Sequence, residues 1–475
     1  MSEISSDKSK NDLWSSTLYI LIVLATGIFM TTLDTFIFAP SLPTIVVNFK
    51  TSLDWVAWTM TIYLLVVTAV MPLGGKLSDL FGRKKIFIAG ITFFTIGSIL
   101  SSLSWDIYSL IAFRAVQALG GALVMPASMS MVNNSTDKDK RGKTLGILMA
   151  TSAVALIIGP NLGGYLIQNF GWRSVFLINI PIGILTILMA LKLHEHHSVE
   201  NGIEKPHIDV IGSLLLVGGL ASALLGIIRL GTLPLTDITV FPLFITGLFM
   251  GILLYFHEKR VSEPILDIPT IMRGNVLSLC LSSLLLFSSF SCVIMYVPSF
   301  AQLVLNMNVQ DSGMILTSLP VMLIVSGILG GVLIDRFGAK VVLLLGTLIT
   351  SAGLLGLALS THNPLSVVIP LAILGLGLGG CMSAFQIIIM SFMPEGKTGS
   401  GSGILSTFQN IGTTIGSLIG GFFLIAVSSG AVTYDIAFKN IFWFGWGMSI
   451  LSALLIVYMI VRHSGNSGNP PGNPS

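Results

Sequence analysis

Charge is scarce in this chain. Asp, Glu, Lys and Arg make up 9% of its 475 residues, against about 25% in soluble domains. That excludes a soluble globular protein with a solvated surface. Cysteine is scarcer still. Cys280, Cys292 and Cys381 stand alone in apolar segments, with neither C-x-x-C nor His spacing. No disulfide framework and no metal site is expected from such a pattern. His194, His196, His197 and His207 cluster in loops without an ordered ligand set and read as solvated. No nucleophile–base constellation is visible, so the chain does not read as an enzyme. No cofactor and no nucleic-acid partner is expected.

Apolar residues are plentiful, at 53%, and so is glycine, at 50 residues. Small residues let helices in a bilayer approach closely. A membrane-crossing helix needs about 20 mostly apolar residues. Fourteen stretches qualify: 16–40, 54–74, 86–104, 107–131, 144–168, 176–194, 209–230, 238–257, 276–303, 311–334, 340–360, 366–393, 401–428 and 440–462. The polar segment 1–15 precedes the first span without a small-residue cleavage site. That span therefore reads as a retained helix. The Gly, Asn, Pro and Ser-rich stretch 463–475 reads as a disordered tail.

Lys and Arg set the orientation. With the N-terminus inside, only Lys50, Arg173, Arg229 and Lys439 of the 24 fall outside, and Arg114 lies within a span. The rest are cytoplasmic, and an even number of spans puts both termini in the cytoplasm. Acids are placed as selectively. Of the 21 Asp and Glu, only Asp34 lies well inside a span. A carboxylate there costs roughly 2.5–3.5 kcal/mol on insertion scales, which marks it as a candidate functional group. Asp54 and Asp311 lie at outer helix ends and read as solvated.

The chain repeats itself. Gly75–Gly82 (GKLSDLFG) and Gly331–Gly338 (GVLIDRFG) share G-x-L-x-D-x-F-G, 256 residues apart (331 − 75). Gly159–Gly164 (GPNLGG) and Gly416–Gly421 (GSLIGG) echo one another 257 apart (416 − 159). Two echoes at nearly one spacing imply two homologous six-helix halves, 16–194 and 276–462. Residues 195–275 then hold an inserted helix pair. Such repeats are typical of secondary transporters.

Several motifs carry a family resemblance. GKLSDLFGRKK, from Gly75 to Lys85, resembles the cytoplasmic signature of the major facilitator superfamily. GPNLGG resembles the signature of that superfamily's antiporter branch, with Gly146 fitting the longer pattern and Ala155 replacing a usual glycine. Gly171–Pro181 (GWRSVFLINIP) and the segment Glu395–Gly403 resemble the 14-helix drug:proton antiporter family. The resemblance implies an all-α membrane protein of the major facilitator fold, two six-helix bundles rocking about a central site. It implies that Gly75, Asp79, Gly82, Arg83 and Lys84 form a cytoplasmic latch. A basic topology anchor is the plainer alternative. Gly159, Pro160, Gly163 and Gly164 would be the antiporter motif, or a close-packing surface with no directional role. Trp172 fits an outer aromatic belt.

Asp34 and Arg114 sit at matching depth. Asp34 is about 6 residues outward of its helix middle and Arg114 about 5, or roughly 9 and 7 Å. Arg114-Ala115-Val116-Gln117 resembles the family's R-x-x-Q motif. Apolar surroundings favour the neutral acid and a nearby guanidinium favours the carboxylate. A group under two opposing influences suits proton coupling. A permanent interhelical ion pair and a cation site without proton exchange stay open. Met30, Tyr63, Gln117, Tyr296, Gln386 and Gln409 are candidates for a substrate cavity, or for ordinary packing.

The expectation is a monomeric, multi-pass protein of the inner or plasma membrane. It would export small amphipathic organic compounds by alternating access, driven by the proton gradient. Uptake or exchange of a metabolite is the alternative. A membrane sensor is remote, because the longest inner loop, 195–208, offers no output domain.

Overall fold

The structure is a computed structural model that describes residues 17–135, 138–193, 209–229, 239–261, 271–272, 274–361, 363–393, 398–428 and 430–466. Segments 1–15 and 195–208, the histidine cluster and the tail from 467 lie outside them. All regular structure among the described residues is helical. That is the expected solution in lipid, where every backbone N–H and C=O must be satisfied within its own segment.

The first half contains α1 (Thr17–Ile37), α2 (Leu42–Phe49), α3 (Leu53–Phe81), α4 (Arg83–Ser102), α5 (Ile107–Ser135), α6 (Lys138–Phe170), α7 (Ser174–Leu177) and α8 (Asn179–Leu191). Then come α9 (Val210–Arg229) and α10 (Phe241–Glu258). The second half contains α11 (Gly274–Leu303), α12 (Val309–Ile315), α13 (Ser318–Phe337), α14 (Ala339–Ala358), α15 (Leu365–Ser391), α16 (Thr398–Ser428) and α17 (Tyr434–Asn466). Thirteen candidate spans are long and apolar enough to cross a membrane, and α9 adds the shorter apolar stretch Leu214–Ala223. The chain divides into two compact units, Met1–Val217 and Gly218–Ser475, with the division inside α9.

Each unit packs internally in the same way. In the first, α1 lies on α6, α5 lies between α3 and α4, and α4 meets α8. In the second, α11 lies on α16, α15 lies between α13 and α14, and α14 meets α17. The repeated D-x-F-G has one shape in both. Gly82 is the single residue between α3 and α4, at φ 97° and ψ 130°; Gly338 joins α13 to α14 at φ 83° and ψ 150°. Side chains make that region costly, so each corner needs glycine.

Two local features position the site. Pro40 and Pro43 lack the N–H that would continue α1, so the chain passes through a 3₁₀ turn, Ala39–Ser41, into α2. The first span is thereby longer than 16–40 and is interrupted one turn after Asp34. At the start of α5, Asp106 Oδ1 accepts the Ser109 N–H (2.7 Å), and Ser109 Oγ accepts the Asp106 N–H (3.2 Å). This reciprocal cap satisfies two orphan donors. The Ser109 hydrogen bonds hold the Asp106 carboxyl below its ordinary range.

Two surface readings need correction. Trp172 is buried, not exposed in an aromatic belt. Its ring packs edge-on against Phe49 (5.3 Å) and Phe176 (6.3 Å), under the Arg173 guanidinium at 4.3 Å. Asp311 is exposed, but Asp54 is half-buried, and its Oδ1 has no partner among the described residues.

Candidate functional site

Asp34 lies in the last turn of α1 and is fully buried, as are Arg114, Gln117, Ser98 and Asn179 around it. Arg114 Nη1 donates to Asp34 Oδ2 at 2.6 Å. Gln117 Nε2 and Asn179 Nδ2 both donate to Asp34 Oδ1, at 2.9 and 2.7 Å. Four helices thus converge on one carboxylate: α1 carries it, α5 supplies Arg114 and Gln117, α8 supplies Asn179, and α4 supplies the supporting Ser98. Burial of one unpaired charge would be prohibitive; a hydrogen-bonded ion pair is tolerable.

The shell is cross-braced. Arg114 Nη1 also donates to Gln117 Oε1 (2.7 Å), and Gln117 Nε2 donates to Ser98 Oγ (2.8 Å). Arg114 Nε reaches the Thr59 carbonyl at 3.4 Å. Asn179 is the first residue of α8, where the sixth span restarts after the break at Ile178. Its amide also reaches Ser98 Oγ, at 3.3 Å.

The Arg114 guanidinium has a second environment. Its carbon lies 4.3 Å from the Tyr63 ring centroid, 4.8 Å from Phe38 and 5.7 Å from Phe176. Desolvated cation–π contacts are worth about 2 kcal/mol or more. Arg114 therefore has partners besides Asp34.

The second unit has no such cluster among its described residues. Gly97 faces the backbone of Gln117, and Gly353 faces the backbone of Leu374 in the same packing position. In that register Leu371 and Leu374 correspond to Arg114 and Gln117, Leu354 to Ser98, and Phe290 to Asp34; all four are buried. The shared helix packing has been kept and the polar site has not.

The other sequence-selected residues fall as follows. Tyr63 and Gln117 belong to the Asp34 shell. Met30 is in the buried core of the first unit, and Tyr296 ties α11 to α16 through the Ser417 carbonyl. Gln386 and Gln409 are half-buried on α15 and α16. Gly159 and Gly163 bring α6 against the end of α1; a Cβ on Gly163 would lie 2.3 Å from the Ile37 carbonyl oxygen. Helix α6 runs unbroken through Pro160, and Gly164 is buried beside Gly163. The side chains of Gly75 and Asp79 lie outside the described residues. Arg83 begins α4. Lys84 Nζ donates to the Leu191 and Leu193 carbonyls, at 2.9 and 2.7 Å. It caps the C-terminal end of α8, where a cation is favoured. Lys84→Met should cost about 1 kcal/mol. A thermal unfolding scan in detergent should show it as a small drop in midpoint.

Sequence reasoning missed Asn179, Ser98, Phe38 and Phe176 as site residues. An amide inside the apolar run FLINIPIG was a usable signal for Asn179. The others carried none.

Known proteins share this architecture. Residues 24–262 and 279–475 match the Major Facilitator Superfamily. The riboflavin transporter RibZ of Clostridioides difficile is 30% identical over 423 residues, 89% of this chain and 90% of that one. Multidrug resistance protein 3 of Bacillus subtilis is 28% identical over 411 residues, 86% and 79% of the two chains. The tetracenomycin C resistance and export protein of Streptomyces glaucescens is 28% identical over 403 residues, 84% and 74%. The nucleoside transporter NupG, crystallised as a point mutant, shares the fold at a TM-score of 0.64 and 13% identity, covering 93% of this chain and 99% of that one. The chain belongs to the major facilitator superfamily: it is a multi-pass membrane transporter and not an enzyme.

Proposed function

We propose that this transporter exports small amphipathic organic compounds in exchange for protons. The observation that carries the reading is the sealed Asp34 site. One carboxylate is held by one guanidinium and two amides, and that guanidinium is also enclosed by three aromatic rings. A purely structural ion pair has no need of the second environment. A proton carrier does, because its arginine must survive the neutral state.

In the cycle, the outward-facing state protonates Asp34 and substrate leaves. The inward-facing state returns the proton to the cytoplasm. The proton gradient is the energy source, and no cofactor is required. The latch motif biases one of the two states, which is the differential interaction that alternating access needs. A single titrating acid favours exchange of one proton, and so neutral or singly charged cargo over dications. Relatives named for multidrug resistance and for tetracenomycin C export support the outward direction.

A second reading is uptake of a metabolite, favoured by the relative named a riboflavin transporter. Inside-out membrane vesicles separate the two. On acidifying their lumen, a monovalent cationic dye should accumulate inside them in a protein-dependent way. Uptake at the same rate without the gradient, or accumulation only in right-side-out vesicles, would favour the second reading.

A further inference from the structure

We infer that Asn179 is the proton-responsive amide of this site: it turns over when Asp34 takes its proton, donating to the carboxylate and accepting from the acid. The inference rests on the proton-carrier reading of Asp34 and adds the group that stabilises its protonated form.

A neutral carboxylic acid must donate its new O–H. The three groups that hold Asp34 are all donors. Arg114 faces Oδ2, and Gln117 and Asn179 face Oδ1. Oδ1 already takes two donors, so a proton on it points at another hydrogen unless one partner changes. Arg114 cannot accept. Gln117 is fixed at both ends: its Oε1 accepts from Arg114, and its Nε2 also donates to Ser98. Reversing it would set N–H against the guanidinium.

Asn179 is fixed at one end only. Its Nδ2 serves Asp34 and, more distantly, Ser98, while its Oδ1 is buried without a hydrogen-bond partner among the described residues. An orphan buried acceptor costs about 1–3 kcal/mol. Half a turn of the amide places that oxygen at the 2.7 Å contact with Asp34 Oδ1, where it accepts the acid O–H. The acid O–H then has its acceptor and the donor–donor conflict at Oδ1 is gone, with the amide N–H groups taking the place the orphan oxygen held. In the ionised state the amide returns and donates again.

The charged and titratable neighbours of Asp34 are few. Helix α5 presents Arg114 and α3 presents the Tyr63 phenol. Helices α4 and α8 present the neutral Ser98 and Asn179, and α6 carries no Asp, Glu, Lys, Arg or His from 144 to 170. None of these supplies another free acceptor at Oδ1. Asn179 is thus a positioning residue for the proton and needs no contact with cargo.

Infrared pH-difference spectra of the full chain in lipid vesicles, with carbonyl-labelled asparagine, test this. Acidification should raise a carboxylic C=O band that is lost in Asp34→Asn. A labelled asparagine C=O band should shift to lower frequency at the same pH, and that shift should be lost in Asn179→Leu. In Asn179→Leu the Asp34 acid band should move to higher frequency, because its O–H has lost an acceptor. Asn179→Ser, with a hydroxyl that both donates and accepts, should keep the acid band low and lose only the asparagine shift. It serves if the leucine variant does not assemble. An Asp34 acid band with no asparagine shift traceable to Asn179 overturns the inference and leaves the proton carrier standing. Absence of any acid band that depends on Asp34 overturns both.

Discussion

Arg114→Met is expected to be the most destabilising single substitution at this site. It leaves a fully buried carboxylate without its cation, held only by the neutral Gln117 and Asn179 amides. Breaking one partner of a buried pair costs about 3–5 kcal/mol, because the remaining charge is uncompensated. The variant also strips Gln117 Oε1 of its donor and leaves Tyr63, Phe38 and Phe176 without the group they enclose. Thermal unfolding in detergent should show a large drop in midpoint. The double variant Arg114→Met with Asp34→Leu should recover much of it, since replacing both members of a pair is often near neutral. Arg114→Lys should fall between. It keeps the charge, but not the planar group that bonds two acceptors and stacks on rings. A double variant as unstable as Arg114→Met would mean that the stability lies in packing and not in the pair.

Asp34→Asn should have the opposite profile, with the fold kept and the coupling lost. The substitution conserves volume, and one amide oxygen can still accept from Arg114 Nη1. What disappears is the ability to exchange a proton. Gradient-driven accumulation of a cationic dye in inside-out vesicles should fall to the level of vesicles lacking the protein. Counterflow, in which labelled cargo exchanges for unlabelled cargo without a pH gradient, should persist. Loss of both activities with unfolding would instead place Asp34 among purely structural residues.

The sequence carried the architecture well because bilayer physics leaves few choices. Long apolar runs become helices, and the positions of Lys and Arg give an expected orientation. The two D-x-F-G segments share a corner because only glycine tolerates the backbone at Gly82 and Gly338. Asp34 and Arg114 were legible for a related reason: ionisable groups in apolar helices are too costly to be incidental. Their surroundings were less legible. Phe38 and Phe176 look like any apolar residue of a membrane helix, and only the fold turns their rings toward a guanidinium. Ser98 is one of many serines in the chain. Asn179 sits in a segment that carried the family resemblance, yet sequence spacing gives no hint that α8 restarts there and points an amide at α1. Lys84 reads by resemblance as part of a cytoplasmic latch, and spacing gives no sign that its ammonium binds the carbonyls that end α8.

Coupling through Asp34 is the central claim, and proton movement reports on it most directly. In proteoliposomes with no initial pH difference, an outward gradient of a monovalent cationic cargo should drive protons inward. A lumenal pH dye would record that as acidification. The account predicts this signal for the natural chain and its absence in Asp34→Asn, with cargo counterflow retained in both. Undiminished acidification by Asp34→Asn would contradict the account.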